Sequence, residues 1–300
     1  MTLSLRQLEI FEKVAATGSV TKASELLLIT QSAVSMAVVQ LEQQSGQPLF
    51  ERTGRKLLLN DRGRLVLGDC RTLLHDARLL EAKLHGNDGE LTGELVLGGS
   101  TTIGNYLLPQ ILGQFAHGYP ATSVQLQVGN TRQIADSLEA GALDIAFVEG
   151  PCVNPGLLTI PWREDELVVV VGPEHPWKKT GYATVEMLAK APWIVRETGS
   201  GTREVFETAM TAADINYSIT LELGHTEAIK NGVAAGLGVS CLSRIAVARE
   251  LQQGWLAAVK VPLNLHRTLT LLRRRRSSLT PLLAAFIETA GCRWDKSDVI

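Results

Sequence analysis

The stretch from residue 62 to about residue 86 constrains this chain most. It holds no proline, and Gly63 and Gly68 are its only glycines before Gly86. Leu65, Thr72, Leu73, Ala77, Leu80 and Leu84 recur along it with heptad-like spacing. That pattern predicts one continuous helix of roughly 37 Å. A solitary helix of this length cannot cover its own apolar stripe, so the stripe predicts a second copy of the chain across a coiled-coil seam. Gly86-Asn87-Asp88-Gly89 follows as a hinge. The chain is thereby divided into a short N-terminal part and a long C-terminal part.

The N-terminal part reads as short helices. Leu5, Leu8, Phe11 and Val14 recur every three residues and give one apolar face. Thr17-Gly18-Ser19 breaks that helix, and Ser19 or Thr21 caps a second one through Leu27. Thr30 caps a third, with Val34, Val38 and Leu41 as its inward stripe. Two short helices joined by Leu28-Ile29-Thr30 match a helix-turn-helix. Gly46-Gln47-Pro48 ends the third helix. Then come Leu49-Phe50, a basic loop around Gly54, the strand-like Leu57-Leu58-Leu59 and a turn at Asn60-Asp61. This is the layout of a winged helix-turn-helix. The whole chain has a formal net charge of −2, yet Arg52 to Arg64 holds five basic residues and one acid, Asp61. Only the N-terminal segment therefore carries a local basic patch of the kind that meets nucleic acid.

From Glu94 the pattern alternates. Strands are predicted at Leu95–Leu97, Val124–Val128, Ile145–Val148, Leu167–Val171, Trp193–Val195, Ile219–Leu223, Val239–Leu242 and Leu269–Leu272. Amphipathic helices are predicted between them at 107–117, 134–140, 202–213, 226–235 and 245–253. Such alternation points to α/β sheets with ligand sites at the carboxyl ends of strands.

Other classes are excluded. No apolar run reaches the ~18–20 uncharged residues of a spanning helix, so no membrane partner is expected. Met1-Thr2-Leu3-Ser4-Leu5-Arg6 lacks the basic and apolar regions of a signal peptide. Cys70, Cys152, Cys241 and Cys292 lie far apart, which fits a reducing, cytoplasmic setting and gives Cys152 and Cys241 no nearby redox partner. The six histidines show no metal spacing, and there is no Gly-x-Ser-x-Gly elbow. Gly236-Leu237-Gly238 sits between a helix and a strand, the reverse of a dinucleotide fingerprint. No cofactor, metal or catalytic residue is expected, so the chain reads as not an enzyme.

Leu5-Arg6-Gln7-Leu8, Gly18-Ser19-Val20-Thr21-Lys22-Ala23, Gln31-Ser32-Ala33-Val34-Ser35, Leu41-Glu42, Pro48-Leu49-Phe50-Glu51-Arg52 and Asn60-Asp61-Arg62-Gly63 carry a resemblance. Over about 65 positions this chain resembles the LysR-type transcriptional regulators, and the remainder fits the same family. The resemblance implies an all-α winged helix-turn-helix N-terminal domain plus linker helix, then an α/β two-lobed effector domain similar to periplasmic binding proteins of type 2. The implied domains are 1–61, 62–89 and 90–300. The last splits into lobe I (91–162 and 266–300) and lobe II (163–265), with the hinge crossed twice. It further implies a sequence-specific regulator that binds double-stranded promoter DNA as a dimer or tetramer. Its effector would lie between the lobes.

Residues are assigned on that frame. Gln31, Ser32, Ser35, Met36 and Val39 lie opposite the inward stripe of the third helix, where they suit base edges and thymine methyls. Arg52, Arg55 and Lys56 in the wing suit phosphates. Met36-Ala37-Val38-Val39-Gln40 carries no base where the family often has one, so no phosphate clamp is expected on that helix. Ser100-Thr101-Thr102 and Gly199-Ser200-Gly201-Thr202-Arg203 each follow a strand and open a helix, one in each lobe. Each reads either as a routine cap or as half of a cradle for a small anion, an inorganic oxyanion or a small carboxylate. Glu149 ends a strand at the cleft mouth. There it repels a dianion unless a proton is shared, receives an amine, pairs with Arg203, or is a plain surface turn residue. Thr226 is expected to cap the helix that follows, with His225 beside it at the cleft. Arg273–Arg276 is expected to be a solvated strand edge, the alternatives being a role in steering anions or in contacting another subunit. The competing reading is a solute-binding or enzymatic α/β domain with an N-terminal dimerisation module. The capped helix pair and basic wing argue against it.

Overall fold

The structure, a computed structural model, describes residues 3–53, 56–84, 91–152, 154–275 and 279–292. They form two compact units, one built on Met1–Leu91 and the other on Thr92–Leu138, Asp144–Arg275 and Leu282–Ile300.

The first unit contains α1 (Leu5–Thr17), α2 (Val20–Leu27), α3 (Gln31–Ser45), β1 (Phe50–Thr53), β2 (Lys56–Leu59) and α4 (Asp61–Leu84). Each helix start has a physical cause. Ser4 and Gln7 form a reciprocal capping box on α1. The Ser19 hydroxyl accepts from the Lys22 amide at 3.4 Å, and the Thr30 hydroxyl accepts from the Ala33 amide at 3.2 Å. Of the two candidate caps on α2, Ser19 is therefore the one used. Leu28 takes a left-handed conformation (φ 55°) to close the turn, and the axes of α2 and α3 bend through 110°. β1 and β2 pair antiparallel as the wing.

The core of this unit gathers Leu8, Phe11, Val14, Ala23, Val34, Val38, Leu41 and Leu49, and continues into Leu67, Cys70 and Leu74 of α4. Sequence periodicity missed that second role of the long helix. α4 has one face that closes the winged core and, among the described side chains, leucines outside that core that stay exposed. Leu65, Leu73 and Leu80 of the predicted stripe are 77%, 49% and 58% exposed. The side chains of Thr72 and Leu84, and the hinge Gly86–Gly89, lie outside the described residues. A stripe left bare in one chain is expected to be buried in an assembly. Full-length protein should sediment as a dimer or tetramer at micromolar concentration, and Leu73→Glu combined with Leu80→Glu should shift it to a smaller species. A strict monomer that binds its promoter tightly would contradict this.

The second unit runs β3 (Gly93–Ser100), α5 (Thr101–Tyr106), α6 (Leu108–Gly118), β4 (Thr122–Gly129), α7 (Thr131–Glu139), β5 (Ile145–Glu149), β6 (Leu157–Val171), α8 (Pro176–Thr180), α9 (Val185–Lys190), β7 (Pro192–Val195), α10 (Gly201–Ala212), β8 (Ser218–Glu222), α11 (Thr226–Ala234), β9 (Ser240–Ser243), α12 (Arg244–Gln253), β10 (Ala257–Val259), β11 (His266–Arg274) and α13 (Pro281–Thr289). Its main sheet has the order β10-β6-β11-β5-β3-β4, with β9 also on β6. β3 is parallel to β4 and β5, and β11 is antiparallel to β5 and β6. The long β6 explains the two lobes. Its first part, from Leu157 to Glu166, pairs with β11, and its last residues pair with β9 and β10. β7 and β8 form a parallel pair, bridged to the second lobe's sheet through Trp193 and Val239.

Each lobe has its own apolar centre. In the first, Phe147 lies edge-on to both Trp162 and Phe286, and Phe286 in turn to Phe115. In the second, Trp193 packs on Phe206 amid Val169, Val171, Leu188 and Met210. The reading of Arg273–Arg276 as a solvated edge is corrected at Arg273, because β11 is an interior strand and Arg273 is 2% exposed, whereas Arg275 is exposed and its guanidinium donates to the Pro155 carbonyl at 2.9 Å. Arg276 lies outside the described residues.

Candidate functional site

In the first unit, α3 turns Val34, Val38 and Leu41 inward and leaves Gln31, Ser32, Ser35, Met36 and Val39 at the surface. Met36 is 62% exposed and Val39 44%, an unusual position for apolar side chains unless something packs on them. The Ser32 hydroxyl lies 3.0 Å from that of Thr30, beside the cap. On the wing, Lys56 is exposed. Arg55 and the side chain of Arg52 lie outside the described residues. Two other members of the basic run are engaged internally. Arg62 donates to the Gln47 side chain at 3.1 Å and the Ser45 carbonyl at 3.3 Å, and Arg64 pairs with Asp61.

In the second unit, the residues predicted for the cleft are brought together only in part: Thr102 and Glu149 of one lobe are linked through Arg267 to Thr202 of the other, whereas Arg203 is paired within its own lobe and His225 is exposed. Ser100 is the N-cap of α5 and Ser200 the N-cap of α10, yet neither hydroxyl makes a cap bond. Both are buried and both lack any hydrogen-bond partner. Routine capping therefore does not account for them. Buried polar atoms are nearly always paired, so two such hydroxyls at helix starts are donors available to a further group. Thr101, Thr102 and Thr202 are buried beside them.

Glu149 is not a surface turn residue and does not pair with Arg203. It is 1% exposed at the end of β5, and its Oε2 lies 2.9 Å from Nη2 of Arg267. Its Oε1 accepts from the Thr102 amide at 3.4 Å. Arg267, on β11, also holds Asp165 of β6 at 2.7 Å and donates to the Thr202 hydroxyl at 3.0 Å. Asp165 accepts in turn from Ser243 at 3.0 Å. One guanidinium at the start of β11 thus ties Glu149 of the first lobe to Thr202 of the second. Arg203 instead pairs with Glu207 at 2.7 Å and Glu222 at 2.6 Å, within the second lobe.

Arg196 was missed in the sequence. It follows the apolar end of β7, is 2% exposed and pairs with Glu197. Its Nη2 reaches the Thr101 hydroxyl at 3.0 Å and its Nη1 that of Thr226 at 3.3 Å. The capping role expected of Thr226 is corrected accordingly. The N-cap of α11 is His225, which makes no side-chain cap bond and is exposed, while Thr226 is the first helical residue. The lobes also touch through backbone. The Arg132 amide donates to the Gly199 carbonyl at 3.2 Å, and a Cβ on Gly201 would fall 1.7 Å from the Glu149 carbonyl oxygen.

Among the described residues, no three His, Cys, Asp or Glu side chains group as metal ligands. No single helix among them is long and apolar enough to cross a membrane. Burial pushes the thiols of Cys70, Cys241 and Cys292 up to about 12. The thiolate is the reactive form. At pH 8 these three should label with iodoacetamide far more slowly than in urea-unfolded protein, which peptide mass spectrometry would read. Native labelling of Cys241 at the unfolded rate would contradict that burial.

The arrangement is that of a DNA-reading head followed by a two-lobed ligand sensor, and comparison with known proteins agrees. Residues 5–64 match the bacterial regulatory helix-turn-helix protein, lysR family, and residues 88–294 match the LysR substrate binding domain. The chain belongs to the LysR family of DNA-binding transcriptional regulators. It is 41% identical over 289 residues to the HTH-type transcriptional regulator YeiE of Escherichia coli K12, covering 96% of this chain and 97% of that one. It is 36% identical to the HTH-type transcriptional activator CmpR of Synechocystis, over 88% of this chain and 87% of that one. A full-length OxyR variant from Pseudomonas aeruginosa has the same fold, with a TM-score of 0.79 at 22% identity over 97% of this chain and 96% of that one. The Synechocystis CcmR regulatory domain, solved in complex with 2-PG, matches 66% of this chain and 96% of its own, with a TM-score of 0.62 and 28% identity.

Proposed function

We propose that this regulator responds to a small anion, an inorganic oxyanion or a small carboxylate, held between Ser100-Thr101-Thr102 of one lobe and Ser200 and Thr202 of the other. The observation that carries the reading is the pair of buried, unpartnered hydroxyls of Ser100 and Ser200 at two helix starts. The first-turn N–H groups of α10 have no intrahelical acceptor and add donors beside Ser200. A small ligand suits the tight packing there, where Gly201 lies against the Glu149 carbonyl. Arg267 bears on the charge question. It neutralises only one of the two buried carboxylates it touches, so Glu149 and Asp165 leave a net negative charge beside the site. An anion that brings its own proton is therefore favoured over a fully ionised one. Calorimetry of Glu149→Gln at two pH values tests this: tighter binding of an ionised anion supports repulsion, whereas weaker binding with a flatter pH profile supports a shared proton. The related CcmR domain in complex with 2-PG supports a small ligand in this kind of domain.

On the DNA side, Gln31, Ser32, Ser35, Met36 and Val39 read bases, and Arg52, Arg55 and Lys56 meet phosphates. Arg52→Ala should weaken binding to all sequences about equally and reduce the salt slope by roughly one. Ser35→Ala or Met36→Ala should instead change preference among sequences. Fluorescence anisotropy at several salt concentrations separates the two, and an Arg52→Ala protein with unchanged affinity and slope would overturn the wing assignment.

A further inference from the structure

We propose that α5 and α11 form a latch that holds the lobes closed before any effector arrives, with Tyr106 as its positioning residue. α5 packs on β3, β4 and β5 of the first lobe, and α11 packs on β6, β7 and β9 of the second. Tyr106 is the last residue of α5, and its hydroxyl donates to Oε1 of Glu227 on α11 at 2.5 Å. The same oxygen lies 2.7 Å from Nζ of Lys230. Lys230 is itself fixed inside the second lobe, since its ammonium is 2.9 Å from Glu250 and donates to the Ala246 carbonyl at 3.2 Å. It also sits 5.5 Å from the centre of the Tyr106 ring, within cation–π range. The acceptor is thus ordered from one lobe and the donor presented by the other.

The opposite end of α5 is held as well. Thr101 accepts from Arg196, whose guanidinium also reaches Thr226, the first residue of α11. One six-residue helix is gripped at both ends by groups that belong to the facing lobe. Burial, and then the bond to Glu227, push the Tyr106 phenol up to about 12, so it stays a donor at neutral pH. The latch does not depend on what the cleft binds. Only its consequence, that it sets how much of the protein is already closed for an effector, rests on the function proposed above.

Hydrogen exchange on the full-length, ligand-free chain tests it. Loss of one such bond should raise the open population roughly three- to tenfold. In Tyr106→Phe, amide exchange should therefore quicken by about that factor both at 100–103 and at 199–203, which lies across the cleft from the mutation. Glu227→Gln keeps an acceptor oxygen and loses the charge, so it should give a smaller change at the same two segments. Faster exchange confined to α5, or no change at either segment in both variants, would overturn the latch. No effector is present in this experiment, so its outcome is separate from the anion titration.

Discussion

Arg267→Met is expected to lower the stability of the second unit by about 3–5 kcal/mol. Methionine replaces the aliphatic stem but not the guanidinium, so some packing is lost too. The larger change is in charge: the side chains of Glu149 and Asp165, both at most 2% exposed, are left without the guanidinium that faces them. Removing one partner of a buried ion pair costs far more than the pair contributes when intact, because a desolvated charge remains. For a unit of this size that corresponds to roughly 6–20 °C in melting temperature, readable by calorimetry. Arg267→Lys should fall between, since a single ammonium cannot serve Glu149, Asp165 and Thr202 in the planar geometry of the arginine. A shift below about 2 °C for the methionine variant would show that the cluster is not what ties the lobes at the hinge.

The second large effect concerns Ser100 and Ser200, and its sign is diagnostic. Both hydroxyls are buried and unpaired. An orphaned polar group of this kind costs about 1–3 kcal/mol, so replacing either with alanine should leave ligand-free stability unchanged or raise it. The same replacement should cost about 1.5–3 kcal/mol of binding to a charged ligand, or roughly ten- to hundredfold in affinity. A structural hydroxyl would behave in the opposite way, losing stability and sparing affinity. Thr202→Ala should also weaken binding. It is a less clean variant because the Thr202 hydroxyl accepts from Arg267 and its loss disturbs the ion cluster as well.

How far these residues were legible in the sequence follows from how local their signals are. The hydroxyl loops were readable because strand, serine and helix follow each other within a few positions, as at Leu97 to Thr102 and Val195 to Thr202. The helix-turn-helix was readable for the same reason: caps at Ser19 and Thr30 and the stripe Val34-Val38-Leu41 are all short-range. The first half of β6 was not, because Pro161, Arg163, Glu164 and Asp165 interrupt any apolar alternation there. The ion cluster was invisible because Arg267 lies 118 residues from Glu149 and 102 from Asp165, and nothing local to either end names its partner. Arg196 gave no local signal at all, and Arg273 was misjudged on composition. An arginine in a basic run at the end of a strand reads as solvated, and only the assembled sheet shows it enclosed.

The most direct test of the proposed effector site is a thermal-shift series on the full-length protein with inorganic oxyanions and small carboxylates, run in parallel on the Ser100→Ala/Ser200→Ala double variant. At a hundred times the dissociation constant a bound ligand stabilises by about 2.7 kcal/mol, which is roughly 5–10 °C here. At least one small anion should shift the parent by that amount and leave the double variant unmoved at the same concentration, while both proteins bind promoter DNA equally in its absence. An anion that shifts parent and double variant alike would place the effector elsewhere and contradict the site.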